Sequence, residues 1–272
     1  MEILLILLFA LLGLYFILVA PKMTKRADST PFMGNVFYAH RGLFDNDSDA
    51  PENSLAAFGK AVEAGYGMEL DVQLTKDDKL VVFHDATLER MCGVEGNVWE
   101  YTLEELKQLR LAHSDEKIPT FQEVLELVDG KTPLIVEYKL DRPLTKVCAL
   151  GDELLSKYQG VYCIESFHPY ALMWYRKHRP EVMRGQLSGN LVEFAKSPKM
   201  KVLYTIVSYL LSNILTRPDF IAYDHEYVGN ISRRVCKALG ALSVTYTIKS
   251  KQRYEEVKKE FDLFIFDSCI LK

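Results

Sequence analysis

The sequence predicts an α/β protein. We expect a (β/α)8 TIM barrel with a small β-hairpin inserted after the second strand, preceded by one N-terminal transmembrane helix. β-rich apolar runs alternate with helical patterns along most of the chain, which is typical of a βα barrel or a doubly wound sheet. The 272 residues suffice for one barrel or for two small domains. Residues 3–20 are an unbroken apolar run that Pro21 closes.

The apolar run at the N-terminus is close to the minimum length of about 17 residues for a membrane-spanning helix. A cleaved signal peptide is the alternative, but it requires a positive segment before the apolar core, and only Glu2 precedes this one. We therefore predict a retained anchor at 1–21, a polar linker at 22–34 and a barrel domain at 35–272.

The charges beside the anchor predict its orientation. Lys22, Lys25 and Arg26 follow the apolar run, and no lysine or arginine precedes it. The positive-inside rule then places the barrel in the cytoplasm.

Nine apolar runs are predicted as strands. Two of them, 67–74 and 80–84, are joined by only five residues, whereas a parallel crossover needs about a dozen. They must form an antiparallel hairpin, which leaves eight parallel strands and favours a barrel. The predicted strands are 36–39, 67–74, 80–84, 134–139, 161–166, 183–187, 220–223, 243–248 and 263–266.

Helices are predicted between the strands from apolar periodicity and capping residues. Asn53 and Ser54 can cap one helix, and Thr102 opens another with a capping box. The predicted helices are 55–64, 102–110, 121–128, 144–158, 169–178, 191–215, 231–239 and 252–260.

One predicted helical segment, 202–215, is apolar on nearly every side, although an outer barrel helix should carry a single apolar stripe. It is either buried under a loop or dips into a membrane surface near the barrel mouth.

Charge and cysteine content exclude several classes of protein. The net charge is −4, and no basic stripe with interleaved aromatic residues is present, so no nucleic-acid partner is expected. The five cysteines are odd in number and scattered without CxxC spacing, which argues against a disulfide framework and a zinc site.

Pairs of charged residues interrupt two of the predicted apolar strands, 67–74 and 134–139. Residues two apart in a strand share a face, so Glu69 pairs with Asp71, and Glu137 with Lys139. Buried charges are costly unless they are neutralised. A structural ion pair is the common explanation for one such pair, but three carboxylates on neighbouring strands favour a hard divalent cation.

Two histidines and an arginine complete the set of candidates. His40 ends the first strand and His84 ends the hairpin, and an imidazole suits proton transfer at neutral pH. Arg41 and Lys139 are predicted to bind phosphate oxygens. The alternative for Arg41 is a salt bridge to one of the aspartates at 45, 47 and 49. Glu52 either complements a helix dipole or belongs to the site.

In order and spacing these motifs resemble the glycerophosphodiester phosphodiesterase family of the PLC-like phosphodiesterase superfamily, from about Phe37 to about Asp267. The resemblance implies that His40 and His84 are the general acid and base and that Glu52 lies in the site. It also implies that a Ca²⁺ or Mg²⁺ ion is held by Glu69, Asp71 and Glu137.

The resemblance is weaker at the later strands. It places Phe167 near the pocket, and Tyr246-Thr247 stands where the family usually has Trp-Thr, which keeps an aromatic wall but adds a hydroxyl. Phe266-Asp267-Ser268 replaces the usual Thr-Asp ending.

The expected function is metal-dependent hydrolysis of membrane-derived glycerophosphodiesters to glycerol phosphate and an alcohol. Family precedent implies attack by the substrate's own hydroxyl and a cyclic phosphate intermediate. Two alternatives are a lysophospholipid phosphodiesterase of phospholipase D or lyase type, and a non-catalytic barrel that binds lipid headgroups.

Overall fold

The computed structural model of the chain describes residues 1–34, 37–140 and 145–271. Residue 36 of the first predicted strand, residue 144 of the predicted helix 144–158, and both end residues of the predicted domain 35–272 lie outside these ranges.

The nine strands of the described residues form one closed sheet in the order β1-β9-β8-β7-β6-β5-β4-β2-β3, and pairing of β1 with β2 closes it. All neighbours are parallel except β2 and β3, whose antiparallel pairing confirms the predicted hairpin. The TIM barrel fold is therefore confirmed. The strands are β1 (Phe37–His40), β2 (Gly67–Leu74), β3 (Leu80–Val82), β4 (Leu134–Tyr138), β5 (Tyr162–Ser166), β6 (Arg184–Ser188), β7 (Phe220–Asp224), β8 (Leu242–Ile248) and β9 (Leu263–Phe266).

Helices lie between the strands, largely where they were predicted. Ser54 caps α3 by accepting a hydrogen bond from the backbone N–H of Ala57, and Thr102 forms its capping box with Glu105. The helices are α1 (Glu2–Val19), α2 (Thr30–Met33), α3 (Leu55–Ala64), α4 (Glu89–Cys92), α5 (Leu103–Leu106), α6 (Phe121–Val128), α7 (Lys146–Leu155), α8 (Pro169–His178), α9 (Pro198–Ser208), α10 (Asn213–Thr216), α11 (Ile231–Ala238) and α12 (Lys251–Val257).

The predicted helix 191–215 is wrong as one element. It consists of a 3-10 helix at Leu191–Phe194, then α9, then α10. Leu210 has a φ of 56°, in the left-handed region that ends a helix. The side chains of Tyr223 and Asn230 donate hydrogen bonds to the carbonyl of Ser208 at the end of α9. These bonds replace the helical hydrogen bond that is lost where the helix ends, so the break costs little free energy.

Alternation along the strands separates the outer core from the barrel interior. Met68, Leu70 and Val72 of β2 are fully buried in the core between barrel and helices. Because side chains alternate in a strand, Glu69 and Asp71 face the other way, into the barrel. Alternation along β2 therefore places its apolar side chains in the outer core and its acidic side chains in the barrel interior.

The predicted linker 22–34 packs against the barrel. Lys22 donates its backbone N–H to the carbonyl of Pro218, just before β7. Phe32 is only 3% exposed and packs with Tyr38 and Phe220. Both contacts lie at the amino ends of the strands, so this segment closes the bottom of the barrel rather than acting as a loose tether.

The N-terminal helix α1 is long and apolar enough to cross a membrane, which no other helix of the described ranges is. Its residues up to Leu14 are exposed, and only Val19 is buried.

Candidate active site

Three carboxylates meet at the carboxyl ends of β2 and β4. Glu69, Asp71 and Glu137 are all buried, and each offers an oxygen within 4.8 Å of those of the other two. Asp71 lies opposite Glu137 in the β2–β4 register. The parallel ladder thus brings together the acidic residues that the sequence analysis grouped.

The three carboxylates of this buried cluster repel one another when they are charged. Burial raises the pKa of Glu69 well above its usual value, and the charges of Asp71 and Glu137 raise it further. Burial raises the pKa of Glu137 in the same way. Burial also acts on Asp71, but Lys139 and His84 hold its pKa well below the ordinary range.

The side chains present fit a divalent cation. Three carboxylate oxygens in one buried cluster are the hard ligands that Ca²⁺ and Mg²⁺ take. Burial and the charges of Asp71 and Glu137 both disfavour the charged form of Glu69 in this cluster. A cation bound there would offset that repulsion.

Lys139 lies directly beside the acidic cluster. Its Nζ is 2.9 Å from Oδ1 of Asp71 and 2.8 Å from Oε2 of Glu137, and the side chain is 14% exposed. The two carboxylates raise its pKa although burial opposes this. The lysine therefore stays charged at the place where we predicted a phosphate contact.

His40 ends β1 and faces the cluster on the side of Glu69. Its Nε2 lies 3.9 Å from Oε2 of Glu69, and its Nδ1 lies 3.0 Å from Oδ2 of Asp267. Burial lowers the pKa of His40, and the hydrogen bond with Asp267 acts against that shift. The aspartate orients the ring so that Nε2 is presented to the cluster.

His84 follows the hairpin strand β3 and influences Asp71 and Glu137 electrostatically. Its Nδ1 lies 2.6 Å from Oδ1 of Asp85. Arg90 holds that carboxylate through two hydrogen bonds, of 2.6 Å from Nε and 3.0 Å from Nη2. His84 is thus oriented by Asp85, and Asp85 by Arg90.

Glu52 links this arrangement to Arg41. Its Oε1 accepts hydrogen bonds of 2.7 Å from both Arg41 and Arg90, and its Oε2 accepts one from Asn46. Burial opposes ionisation, but Arg90 and Arg41 lower the pKa of Glu52 to about 2. Arg41 is therefore paired with Glu52 and not with the aspartates of the following loop.

The turn after β1 depends on its backbone conformation. Arg41 and Gly42 have φ angles of 57° and 85°. A Cβ atom on Gly42 would lie 2.8 Å from the backbone carbon of Ala57, so only glycine fits between the turn and α3. The turn directs the backbone N–H of Arg41 to Oε2 of Glu69, at 3.2 Å.

An aromatic wall stands beside the polar residues. The rings of Phe167 and Tyr246 meet edge to face with centroids 6.0 Å apart. Phe167 lines a cavity of about 320 Å³ together with Glu137 and Lys139, and Leu203 and Val207 of α9 form part of its apolar lining. The site therefore joins a charged end to an apolar pocket.

Sequence reasoning did not assign Asp267, Arg90 or Asn53 to the site. The Asn53 side chain, predicted as part of a helix cap, instead donates a hydrogen bond of 2.8 Å to Asp71. Asp267 follows β9 directly, and closure of a predicted eight-stranded barrel would have placed it beside His40. Arg90 lies in a loop helix, and no sequence signal points to it.

Comparisons with known proteins show which family this chain resembles in sequence. Residues 40–220 match the sequence model of the glycerophosphoryl diester phosphodiesterase family. The chain is 36% identical to the glycerophosphodiester phosphodiesterase of Caldanaerobacter subterraneus subsp. tengcongensis over 57% of this chain and 67% of that protein. It is 32% identical, over the same shares, to the one of Bacillus altitudinis.

Solved structures share the architecture. The glycerophosphodiester phosphodiesterase of Thermotoga maritima superposes with a TM-score of 0.65 at 27% identity, over 86% of this chain and 95% of that one. A phosphodiesterase of Oleispira antarctica, solved in complex with the product sn-glycerol-3-phosphate, gives a TM-score of 0.67. The superposition covers 85% of this chain and 92% of that one at 24% identity. A likeness at this level of identity shows the fold alone.

Proposed function

The chain belongs to the glycerophosphoryl diester phosphodiesterase family and is a phosphodiesterase, and from this premise we propose how its residues act. It hydrolyses glycerophosphodiesters derived from membrane lipids, with His40 and His84 as general acid and base. The observation that carries the proposal is the cluster of Glu69, Asp71 and Glu137 flanked by two histidines, each held by an aspartate.

The metal would be held by Glu69, Asp71 and Glu137. When bound, it supplies positive charge that stabilises the negative phosphoryl oxygens. Arg41 and Lys139 add charge from the protein side, and their ion pairs with acidic neighbours keep them in place. The family relation and the acidic triad support metal dependence; Ca²⁺ and Mg²⁺ both suit these ligands.

The histidines move the protons. In the first step one imidazole takes the proton of the substrate's glycerol hydroxyl, whose oxygen forms a bond to phosphorus. The other imidazole protonates the alcohol oxygen as its bond to phosphorus breaks. In the second step water opens the cyclic phosphate with the two roles reversed, which restores both histidines. Each positioned proton transfer contributes about 10²–10⁴-fold to the rate.

The N-terminal segment anchors this domain to the membrane. The division into anchor 1–21, linker 22–34 and barrel domain 35–272 belongs to the proposal, with the barrel on the cytoplasmic side. The length and apolar character of α1 and the three basic residues after it support this arrangement. Protease treatment of sealed membrane vesicles of right-side-out and of inverted orientation distinguishes the two orientations of the barrel.

A substrate panel tests the function. The purified chain is assayed against glycerophosphodiesters and lysolipids, with chelator and with Ca²⁺ or Mg²⁺ restored, following glycerol phosphate and free alcohol together. We expect turnover that chelator abolishes. His40→Ala and His84→Ala should lose turnover while the fold and cation binding remain. Wild-type rates in either variant would show that the histidine assignment is wrong.

A further inference from the structure

The anchor helix has a defined direction relative to the barrel. The Tyr15 hydroxyl hydrogen-bonds Ser232 at 2.9 Å, and the Val19 carbonyl accepts hydrogen bonds from Cys236 and Asn213. Tyr15 and Val19 are four residues apart, as are Ser232 and Cys236, and the two pairs meet in the same order. Helices α1 and α11 therefore run parallel along the flank of the barrel.

This direction places the free part of the anchor at the barrel mouth. Helix α11 follows β7 after a 3-10 helix, so it starts at the carboxyl ends of the strands and runs toward their amino ends. Val19 is thus near the bottom, and Tyr15 is near the rim, beside the second residue of α11. Residues 2–14 of α1 extend beyond the rim on the side of the active site.

The length of the free segment brings the rim to the membrane surface. Thirteen residues of helix span about 20 Å at ~1.5 Å per residue, whereas the hydrocarbon core is about 30 Å thick. The helix can cross a bilayer only if the residues packed against the barrel also enter the interface. The rim must then lie against the headgroups.

The rim carries an apolar surface that suits this position. Val202 and Ile206 of α9 and Tyr209, which follows this helix directly, form a stripe; the three side chains are 63%, 36% and 46% exposed. Phe194 before this helix and Ile231 at the start of α11 are 69% and 62% exposed. An apolar helical stripe of this kind lies in the interfacial plane of a membrane, where tyrosine is also favoured.

Basic residues accompany the stripe. Three exposed lysines lie at or just before the start of α9, at Lys196, Lys199 and Lys201. The sequence between Gly189 and Arg217 contains a single acidic residue, Glu193. Glu193 is hydrogen-bonded by Asn190 and by Tyr227. The three lysines therefore attract an anionic bilayer surface.

The other side of the same helix borders the active-site pocket. Leu203, Tyr204 and Val207 line the cavity that also contains Glu137 and Lys139. A lipid that enters between the bilayer and α9 would meet this apolar wall first and the charged cluster next.

We propose that the barrel docks with its mouth on an anionic phospholipid bilayer, through the exposed stripe and lysines of α9, and takes a phosphodiester lipid directly from that membrane. The part that concerns the substrate rests on the proposed phosphodiesterase function. Of the two alternatives for segment 202–215, the exposure of α9 favours the membrane-surface helix over the helix buried under a loop.

Fluorescence quenching tests the docking independently of activity. The chain with helix α1 is reconstituted in phosphatidylcholine and phosphatidylglycerol vesicles, with and without brominated acyl chains. Ile206→Trp reports on the stripe, and Met33→Trp, 41% exposed at the barrel bottom, is the matched control. The unsubstituted chain gives the background of its two tryptophans. We expect bromine to quench Ile206→Trp and to leave Met33→Trp unchanged.

Three outcomes would overturn the docking. They are equal quenching at both positions, no quenching of Ile206→Trp, and a detergent-solubilised dimer that Ile206→Asp dissociates, which would show that a second copy covers the stripe.

A rate comparison tests the route of the substrate. Val202→Asp combined with Ile206→Asp is assayed on a lysophospholipid in vesicles and on water-soluble glycerophosphocholine, beside Met33→Asp. We expect a loss of roughly tenfold or more on the vesicle substrate, about what expelling one or two apolar side chains from the membrane costs, with the soluble substrate unaffected. An unchanged vesicle rate overturns the route. If the unsubstituted chain cleaves neither substrate, the proposed function fails, while the quenching result still decides the docking.

Discussion

Nδ1 of His40 and Oδ2 of Asp267 are 3.0 Å apart, although 227 positions separate them in the sequence. The contact joins the end of the first barrel strand to the end of the last, because β1 pairs with β9. It fixes which ring nitrogen of His40 faces the acidic cluster, and the tautomer of a histidine is set by the bond that its other nitrogen makes.

Asp267→Asn should therefore lower kcat while leaving KM nearly unchanged. The amide keeps the size of the side chain but loses the charge that supports a protonated ring, and we expect a loss on the order of ten- to a hundredfold. Steady-state rates on a soluble glycerophosphodiester measure it. Ser268→Ala, which removes only the hydroxyl that donates to Asp267, is the control. An unchanged kcat in Asp267→Asn would mean that the contact does not position His40.

The carboxylates of the cluster should differ in their effect on cation affinity. Glu69→Gln removes a charged ligand, so the affinity for Ca²⁺ or Mg²⁺ should fall by at least ~10-fold, measured by isothermal titration. Glu165 is a matched control, because it is buried beside Glu137 in the β4–β5 ladder but lies outside the group of three. Glu165→Gln should bind the cation nearly as well as the unsubstituted chain. Equal weakening in both variants would argue for a larger ligand set.

Arg90 should matter for catalysis although it lies in a loop helix. It bridges Glu52 and Asp85 with both sides of its guanidinium, and so connects Arg41 to His84. Arg90→Met should reduce kcat/KM by about tenfold, a typical cost for losing a supporting shell. Arg90→Lys should not restore it, since one ammonium cannot form the same fork. Arg110→Met, which removes an exposed pair with Asp115, should have no effect.

Stability should depend on pH through Glu165. Burial and the charges of Glu137 and Asp71 raise its folded pKa well above 4.5, so the folded chain keeps this proton while the unfolded chain releases it above that pH. The free energy of unfolding, measured by urea titration in detergent with chelator, should therefore fall as the pH rises above 4.5.

Glu165→Gln should make that fall less steep, by up to ~1.4 kcal/mol per pH unit, because one titrating group is removed. Glu123→Gln serves as the comparison, since the pKa of this partly exposed carboxylate is lowered rather than raised. The same slope in Glu165→Gln and in the unsubstituted chain would contradict the assignment.

Local pattern predicted the barrel well because strand pairing in this fold follows chain order. The five residues between 67–74 and 80–84 were enough to identify the hairpin, since the constraint is one of length. The prediction of one helix at 191–215 was wrong at two places. Ser197 and Pro198 mark the start of α9 in the sequence, as an N-cap and a first-turn proline do, whereas the apolar residues after them carry no sign of the break at Leu210. That break depends on hydrogen bonds from Tyr223 and Asn230, which come from later in the chain.

The sequence by itself determined which residues carry charge at the strand ends, since alternation directs Glu69, Asp71 and Glu137 to one interior face. Only the tertiary structure decided which distant residues orient the histidines, the arginine and the N-terminal helix around these carboxylates. Asp267 reaches His40 through barrel closure, Arg90 joins two loops, and the packing of Tyr15 on Ser232 turns helix α1 toward the mouth. Such contacts join residues far apart in the chain, and side-chain periodicity within one element contains no information about them.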